Sequence, residues 1–182
     1  MAQACMQEAL QQLKSAGIEV VTHHDEPKVA AIENELAGAF VLSNRINSWE
    51  TRWFIRGCRD RDASKLSRGM QERLQQSETL TLGDYRAALL ERARIRALFA
   101  ELAANYDACV SLSAPGPAPA GLQSTGSPQF AVPSSLLGTP ALSLPLFEVD
   151  GMPLGLQVLG FANDDAATFA TAAWLRDHLR DA

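Results

Sequence analysis

The sequence predicts an α/β fold, a mixed β-sheet flanked by helices, and three observations carry that prediction. Segments with apolar residues at helical intervals alternate with short β-branched or apolar runs. One long segment, "TLGDYRAALLERARIRALFAELAANY", opens with Thr81 and Asp84 at capping-box spacing and sets Ala88, Ile95, Phe99 and Leu102 along one side. Near the end, the runs "ALSLPL" and "LGLQVLG" are separated by "FEVDGMP", whose Asp150-Gly151 pair is a strong hairpin turn signal.

Taken in order, the first element is an amphipathic helix. Met6, Ala9, Leu10 and Leu13 share a face, and Gly17 stands where a helix C-terminus ends. The β-branched run Ile18 to Thr22 is expected to be a strand, ended by the polar "HHDEP" of His23 to Pro27. Val29 to Phe40 and Ser64 to Leu74 read as helices, with a weaker, arginine-rich helical segment from Trp49 to Cys58 between them. After the long helix, "ACVSLS" at Ala108 to Ser113 reads as a buried strand. Ala114 to Gly126 holds too much Pro and Gly for helix or central strand and is expected to be a long loop. Ala141 to Leu146 and Leu154 to Leu159 form the hairpin. They must pair antiparallel, because a parallel crossover needs about a dozen residues or more. The last helix, Asp164 to Leu179, is expected to start on an Asn163 cap and to turn Phe169, Ala173 and Trp174 inward. No repeat or linker divides the chain, so residues 1–182 are expected to form a single domain.

Composition narrows the partners. The 182 residues are 47% hydrophobic and 20% charged, the balance of a globular chain that buries roughly 70% of its unfolded surface. A net charge of −5 excludes a nucleic-acid or anionic-membrane surface, which relies on an excess of Lys and Arg. The basic residues between Arg52 and Arg73 are interrupted by Asp60, Asp62 and Glu72 and read as a solvated face. Cys5, Cys58 and Cys109 are odd in number and widely spaced, which fits a reducing cytoplasm better than a disulfide scaffold. The first residues lack the basic and continuous apolar regions of a signal peptide or anchor.

Few residues offer chemistry. His23, His24, Asp25 and Glu26 are metal-ligand types, but neighbours on extended chain point to opposite sides, so no metal is expected there. His178 sits near a helix C-terminus, where the dipole suits a cation. Ser124 lies in G-x-x-S-x-G, one residue off the nucleophile elbow, and follows a Pro-rich run instead of a strand. Gly155 to Gly160 begins a phosphate-loop spacing, but Phe161 and Ala162 stand where Lys and Ser/Thr are required, so no cofactor is expected. Ser134 and Ser135, beside Pro133, are expected to cap a short helical turn.

The stretches "STGSPQFAVPSSLLGTPALSLPL", "DGMPLGLQVLG" and "NDDAATFATAAWL", in that order, resemble the C-terminal portion of amidase signature family enzymes. The resemblance is specific from about Thr81 onward and diffuse before it. It implies a partial amidase signature fold and a family activity, amide hydrolysis by a Ser, cis-Ser and Lys triad with oxyanion donors from a Gly-rich loop. This chain lacks that Gly/Ser-rich signature, and its only lysines, Lys14, Lys28 and Lys65, match no catalytic lysine. The resemblance therefore implies a non-catalytic portion with no catalytic residue of its own. Its loop from Gln123 to Phe130 would wall a substrate pocket, with Ser124, Thr125, Gly126 and Phe130 as substrate-binding residues. A small amide is the substrate only in a complete enzyme. The implied partner is the missing N-terminal amidase portion, or a second copy of the chain seated near that loop. Two alternatives are a hydrolase with its nucleophile moved to Ser124 or Ser134, and a stand-alone binding or assembly subunit.

Overall fold

The computed structural model describes residues 1–179. It opens on α1 (Ala2–Ser15), which buries Ala9 and Leu13. Beyond it Gly17 takes a left-handed φ of 81°. Gly17 N–H then reaches Lys14 C=O and Ile18 N–H reaches Leu13 C=O, the paired bonds that satisfy a helix's last carbonyls.

Four helices follow: α2 (Pro27–Ala37), α3 (Ala39–Asp62), α4 (Arg68–Glu78) and α5 (Leu82–Ala100). The predicted helix from Val29 to Phe40 is thus two helices broken at Gly38, and the weak segment around Trp49 is the middle of a 24-residue helix. Arginine density weakened the sequence pattern there, but tertiary contacts hold the helix. Arg52 donates to Leu80 C=O just past α4 and Arg56 pairs with Glu78, while within α3 the Arg52 guanidinium also lies 3.5 Å from the Trp49 ring centre. The predicted Ser64 to Leu74 helix starts late, on Ser67, whose hydroxyl accepts from Met70 N–H. At α5 the capping box forms in both directions between Thr81 and Asp84. Ala88, Ile95 and Phe99 are buried along it, with Leu102 just beyond.

The sheet has strands β1 (Cys109–Leu112), β2 (Ala141–Val149) and β3 (Met152–Leu159), with β3 in the centre. Both pairings are antiparallel, so among the described residues the α/β fold is built on an antiparallel sheet where a mixed one was expected. The hairpin forms at the predicted place, with Asp150 and Gly151 at φ 54° and 73°, the double left-handed geometry that Asp-Gly favours. Between β1 and β2 the chain runs without regular structure to α6 (Val132–Leu137), and α7 (Asp165–Leu179) closes the described fold.

Three expectations fail. Among the described residues Ile18 to Thr22 pairs with no strand; Val20 instead packs on the α1/α7 core, and β propensity without a pairing partner does not make a strand. His23 to Pro27 is therefore a turn entering α2. On α7 the buried side is Thr168, Ala172, Leu175 and Leu179, while Phe169 is 60% and Trp174 37% exposed. The register slips because α7 begins on Asp164, whose carbonyl takes both the N–H and the hydroxyl of Thr168, with Asn163 outside it at φ 63°. Gly160 permits this docking: a Cβ there would lie 1.7 Å from Thr168 Oγ1. Within α6, Ser134 does not cap; its hydroxyl donates to Ala131 C=O, and Ala131 itself is the uncapped start.

Two layers enclose the sheet. On one face Leu144, Leu156 and Val158 pack with Ala9 and Leu13 of α1 and Ala172, Leu175 and Leu179 of α7. On the other, Leu159 joins Ile32, Leu42, Ile46, Ile95, Phe99 and Leu136, from α2, α3, α5 and α6. That helical layer covers only the Leu159 end of β3.

Candidate functional site

Where the helical layer stops, the sheet face turns polar. Leu154, Leu156 and Val158 point to the α1/α7 side, so by strand alternation Gly155 and Gln157 point the other way. Ser111 and Ser143 stand opposite Gln157 on the flanking strands. Ser113 and Ser143, on opposite edges of the sheet, meet across Gly155 with their hydroxyls 2.6 Å apart. Glycine is required under that bridge, because a Cβ would fall 2.2 Å from Ser143 Oγ and 2.7 Å from Ser113 Oγ.

Beside the bridge, on the Ser113 and Gly155 side, the Pro-rich loop folds back to form an open cleft of about 450 Å³ that Ser143 does not line. Ser113, Pro115, Thr125, Gly126, Pro153 and Gly155 are among its walls, and among the described residues none that line it is ionisable. Of the residues predicted for a pocket, Thr125 and Gly126 line the cleft, exposed to solvent. Ser124 does not; its hydroxyl accepts from Gly126 N–H at 3.1 Å and holds the turn in which Gly126 takes φ 83°. Phe130 is half-buried against Leu112, Val149 and Leu154, outside the cleft.

Gln157 anchors the loop's far end. It is 6% exposed, and its Nε2 donates to Phe130 C=O at 2.9 Å and to Ser111 Oγ at 3.3 Å. Arg96 of α5 does the same for α6: its Nε donates to Leu136 C=O at 2.9 Å, complementing the helix's negative end. Burial draws the Arg96 guanidinium below its ordinary pKa, with Arg92 adding to the shift. Sequence reading missed Ser113, Ser143, Gly155 and Gln157. The signal for them was the interruption of three apolar strands by Ser, Gly and Gln at alternate positions.

Nucleophile chemistry finds no partner here. Ser134 spends its proton on Ala131 C=O, and among the described residues neither it nor Ser124 is hydrogen-bonded to an acidic or basic side chain. Lys28 pairs with Glu101, Lys65 with Asp62, and Lys14 is exposed in the last turn of α1. Cys109, half-buried in β1, has its thiol pushed up to about 11, first by desolvation and then by Glu33, the opposite of an activated thiolate. Among the described residues no group of His, Cys, Asp and Glu is placed to hold a metal. His23 instead meets Glu33 at 2.9 Å, and His178 stacks on Trp174.

Comparison with known proteins agrees with this architecture. A glutamyl-tRNA(Gln) amidotransferase subunit of Granulibacter bethesdensis is 37% identical over 108 residues, covering 53% of this chain and 22% of that protein. A fatty acid amide hydrolase of Medicago truncatula is 35% identical over 122 residues, covering 60% and 20%. A crystal structure of an amidase superposes with a TM-score of 0.81 at 26% identity, over 97% of this chain and 42% of the other. A 6-aminohexanoate cyclic dimer hydrolase, 18% identical, shares the fold at a TM-score of 0.70 over 97% of this chain and 41% of the other. The chain thus spans about a fifth of the length of these curated relatives and about two fifths of these solved structures. Since the family model for amidases matches residues 1–169, the chain belongs to the Amidase family.

Proposed function

We propose that this chain is the C-terminal, non-catalytic portion of an amide-hydrolysing enzyme, and that it supplies sheet, helices and one wall of the substrate pocket. The observation that carries the reading is the cleft itself, where hydroxyls and glycines gather beside the Gln123 to Phe130 loop and none of the described residues lining it is a base. Ser124, Thr125, Gly126 and Phe130 divide the work in this reading. Thr125 and Gly126 face the substrate, Ser124 holds their turn, and Phe130 ties the loop to the core. The partner is the remaining amidase portion, which carries the nucleophile and the lysine. Its seat includes exposed apolar side chains such as Phe40, Val41 and Phe54 of α3 and Leu90 of α5. A second copy of the chain is the other occupant of that surface, and Phe130, being half-buried, is a poor probe for it. Three free cysteines support a cytoplasmic location, and no helix among the described residues is long and apolar enough to cross a membrane.

The test is hydrolysis and serine labelling by the purified chain. Aliphatic and aryl amides are expected to remain at background hydrolysis, and a fluorophosphonate is expected to label nothing. Stoichiometric labelling that disappears in Ser124→Ala or Ser134→Ala would move the nucleophile into this chain and end the reading.

A further inference from the structure

We propose that the outer face of α3 is a self-association surface, on which the chain pairs with a second copy of itself about a two-fold axis through Asn47. The inference concerns the chain on its own and does not rest on the amide-hydrolysing reading.

The surface is a stripe along the helix. Phe40, Asn44, Asn47, Thr51, Phe54 and Cys58 recur at alternating steps of four and three, which sets them on one side. None of the six is buried, and Phe40 and Phe54 are 40% and 73% exposed. The stripe carries no charge, although Arg45, Arg52, Arg56, Arg59 and Arg61 share the helix. Its pattern is a palindrome, because Phe40 and Phe54 stand one heptad to either side of Asn47. An antiparallel copy centred on Asn47 therefore sets each Phe40 against the other's Phe54 and brings the two Asn47 carboxamides together. A carboxamide both donates and accepts, so it satisfies its own image. Among the described residues the Asn47 amide hydrogen-bonds only to Ser43 Oγ, at a long 3.5 Å, and is free to do so. The same symmetry lands Asn44, an amide donor, opposite Glu50 of the second copy. Gly57 supplies room beside Phe54 for the incoming Phe40: nothing lies within 4 Å of where its Cβ would be. An unrelated apolar helix would cover the phenylalanines and leave Asn47 unpaired, which is why a copy is the occupant that fits. The stripe is about 27 Å long and buries less than the roughly 1,200 Å² of a stable interface. The pair is therefore weak, with a dissociation constant on the order of 100 μM.

The experiment is sedimentation equilibrium of the full chain at low salt, over about 10 to 500 μM so as to bracket that constant. The unaltered chain is expected to pass from monomer to dimer across the range. Asn47→Lys and Asn47→Asp each bring two like charges together on the axis and are expected to weaken the pair at least about fivefold. An equimolar mixture of the two puts opposite charges there, and its association is expected to recover at least about threefold over either variant alone. Phe54→Glu, at an exposed position, sets a carboxylate against the other copy's phenylalanine at both ends and is expected to cost at least about tenfold. An unaltered chain that stays monomeric throughout would overturn the proposal and leave the stripe to the remaining amidase portion. A dimer that neither the Asn47 variants nor Phe54→Glu weaken would place the contact elsewhere, and a mixture no tighter than its components would exclude the two-fold axis; either result also overturns it. Association is read without turnover, so amide hydrolysis by the chain alone would remove the non-catalytic reading and leave the dimer standing, whereas a monomer would do the reverse.

Discussion

The two faces of β3 differ more than any two helices of the molecule. On one, Leu154, Leu156 and Val158 are at most 4% exposed and packed under the α1 and α7 layer. On the other, Gly155 and Gln157 lie among serines, one leaving space for a hydroxyl bridge and the other tethering a loop. Alternation along a strand lets consecutive residues serve opposite ends, core packing through the apolar contacts and the placing of a loop and a hydroxyl bridge through the polar ones. A substitution's consequence should therefore depend on parity more than on distance from the cleft.

The largest effect is expected at Leu156, which is fully buried. Leu156→Ala leaves a cavity between sheet and helices and should cost about 3 kcal/mol in urea unfolding, with loss of the fold's cooperativity if the sheet is its centre. Gln157→Leu, one residue along, removes the donor to Phe130 C=O. It should cost about 1–2 kcal/mol, but its sharper signature is faster amide exchange from Ser127 to Phe130. Equal slowing or quickening everywhere would show that Gln157 acts on the whole core and not on the loop.

A control away from the sheet comes from α5. Thr81→Ala removes the helix cap and should cost about 1 kcal/mol while leaving amide exchange in the Ser127 to Phe130 loop unchanged. It also has an acid signature. Asp84 is held below its ordinary 3.8 mainly by the Thr81 hydroxyl, then by Thr81 N–H. The folded chain thus binds that proton more weakly than the unfolded chain. The contribution is present above about pH 4 and fades as pH falls through and below 3.8. Removing the hydroxyl should flatten this part of the acid-unfolding curve. The smallest change in stability is expected for Ser143→Ala, within about 0.5 kcal/mol. If that variant destabilised the chain as much as Leu156→Ala, the two faces would not be separable.

What could be read from the sequence follows the same division. The capping box at Thr81 and Asp84, the Asp150-Gly151 turn and the buried side of α5 were legible because each is encoded within a few residues. The slip on α7 was not, because Asn163 and Asp164 are equally good caps, and the choice depended on Thr168 meeting Gly160 across the fold. Ile18 to Thr22 has the composition of a strand, and no local signal tells whether a neighbour exists to pair with it. At the cleft, Thr125 and Gly126 were reached only through the resemblance of their loop to the amidase family. Ser113, Ser143 and Gly155 come from three strands and become one feature only when the register Leu112, Leu156, Leu144 is known.

The strand order β1-β3-β2 also fixes an assembly sequence. β2 and β3 are joined by the tight Asp150-Gly151 turn and can zip together locally on the microsecond scale of hairpins. β1 must close a loop spanning the Pro-rich segment, α6 and the whole of β2 before it reaches the opposite edge of β3, and such closures carry the entropy that slows folding. The hydroxyl bridge needs Ser113, beyond the end of β1, beside Ser143 of β2, so it exists only while β1 is docked. Exchange protection of β1 therefore reports directly on whether the bridge is closed.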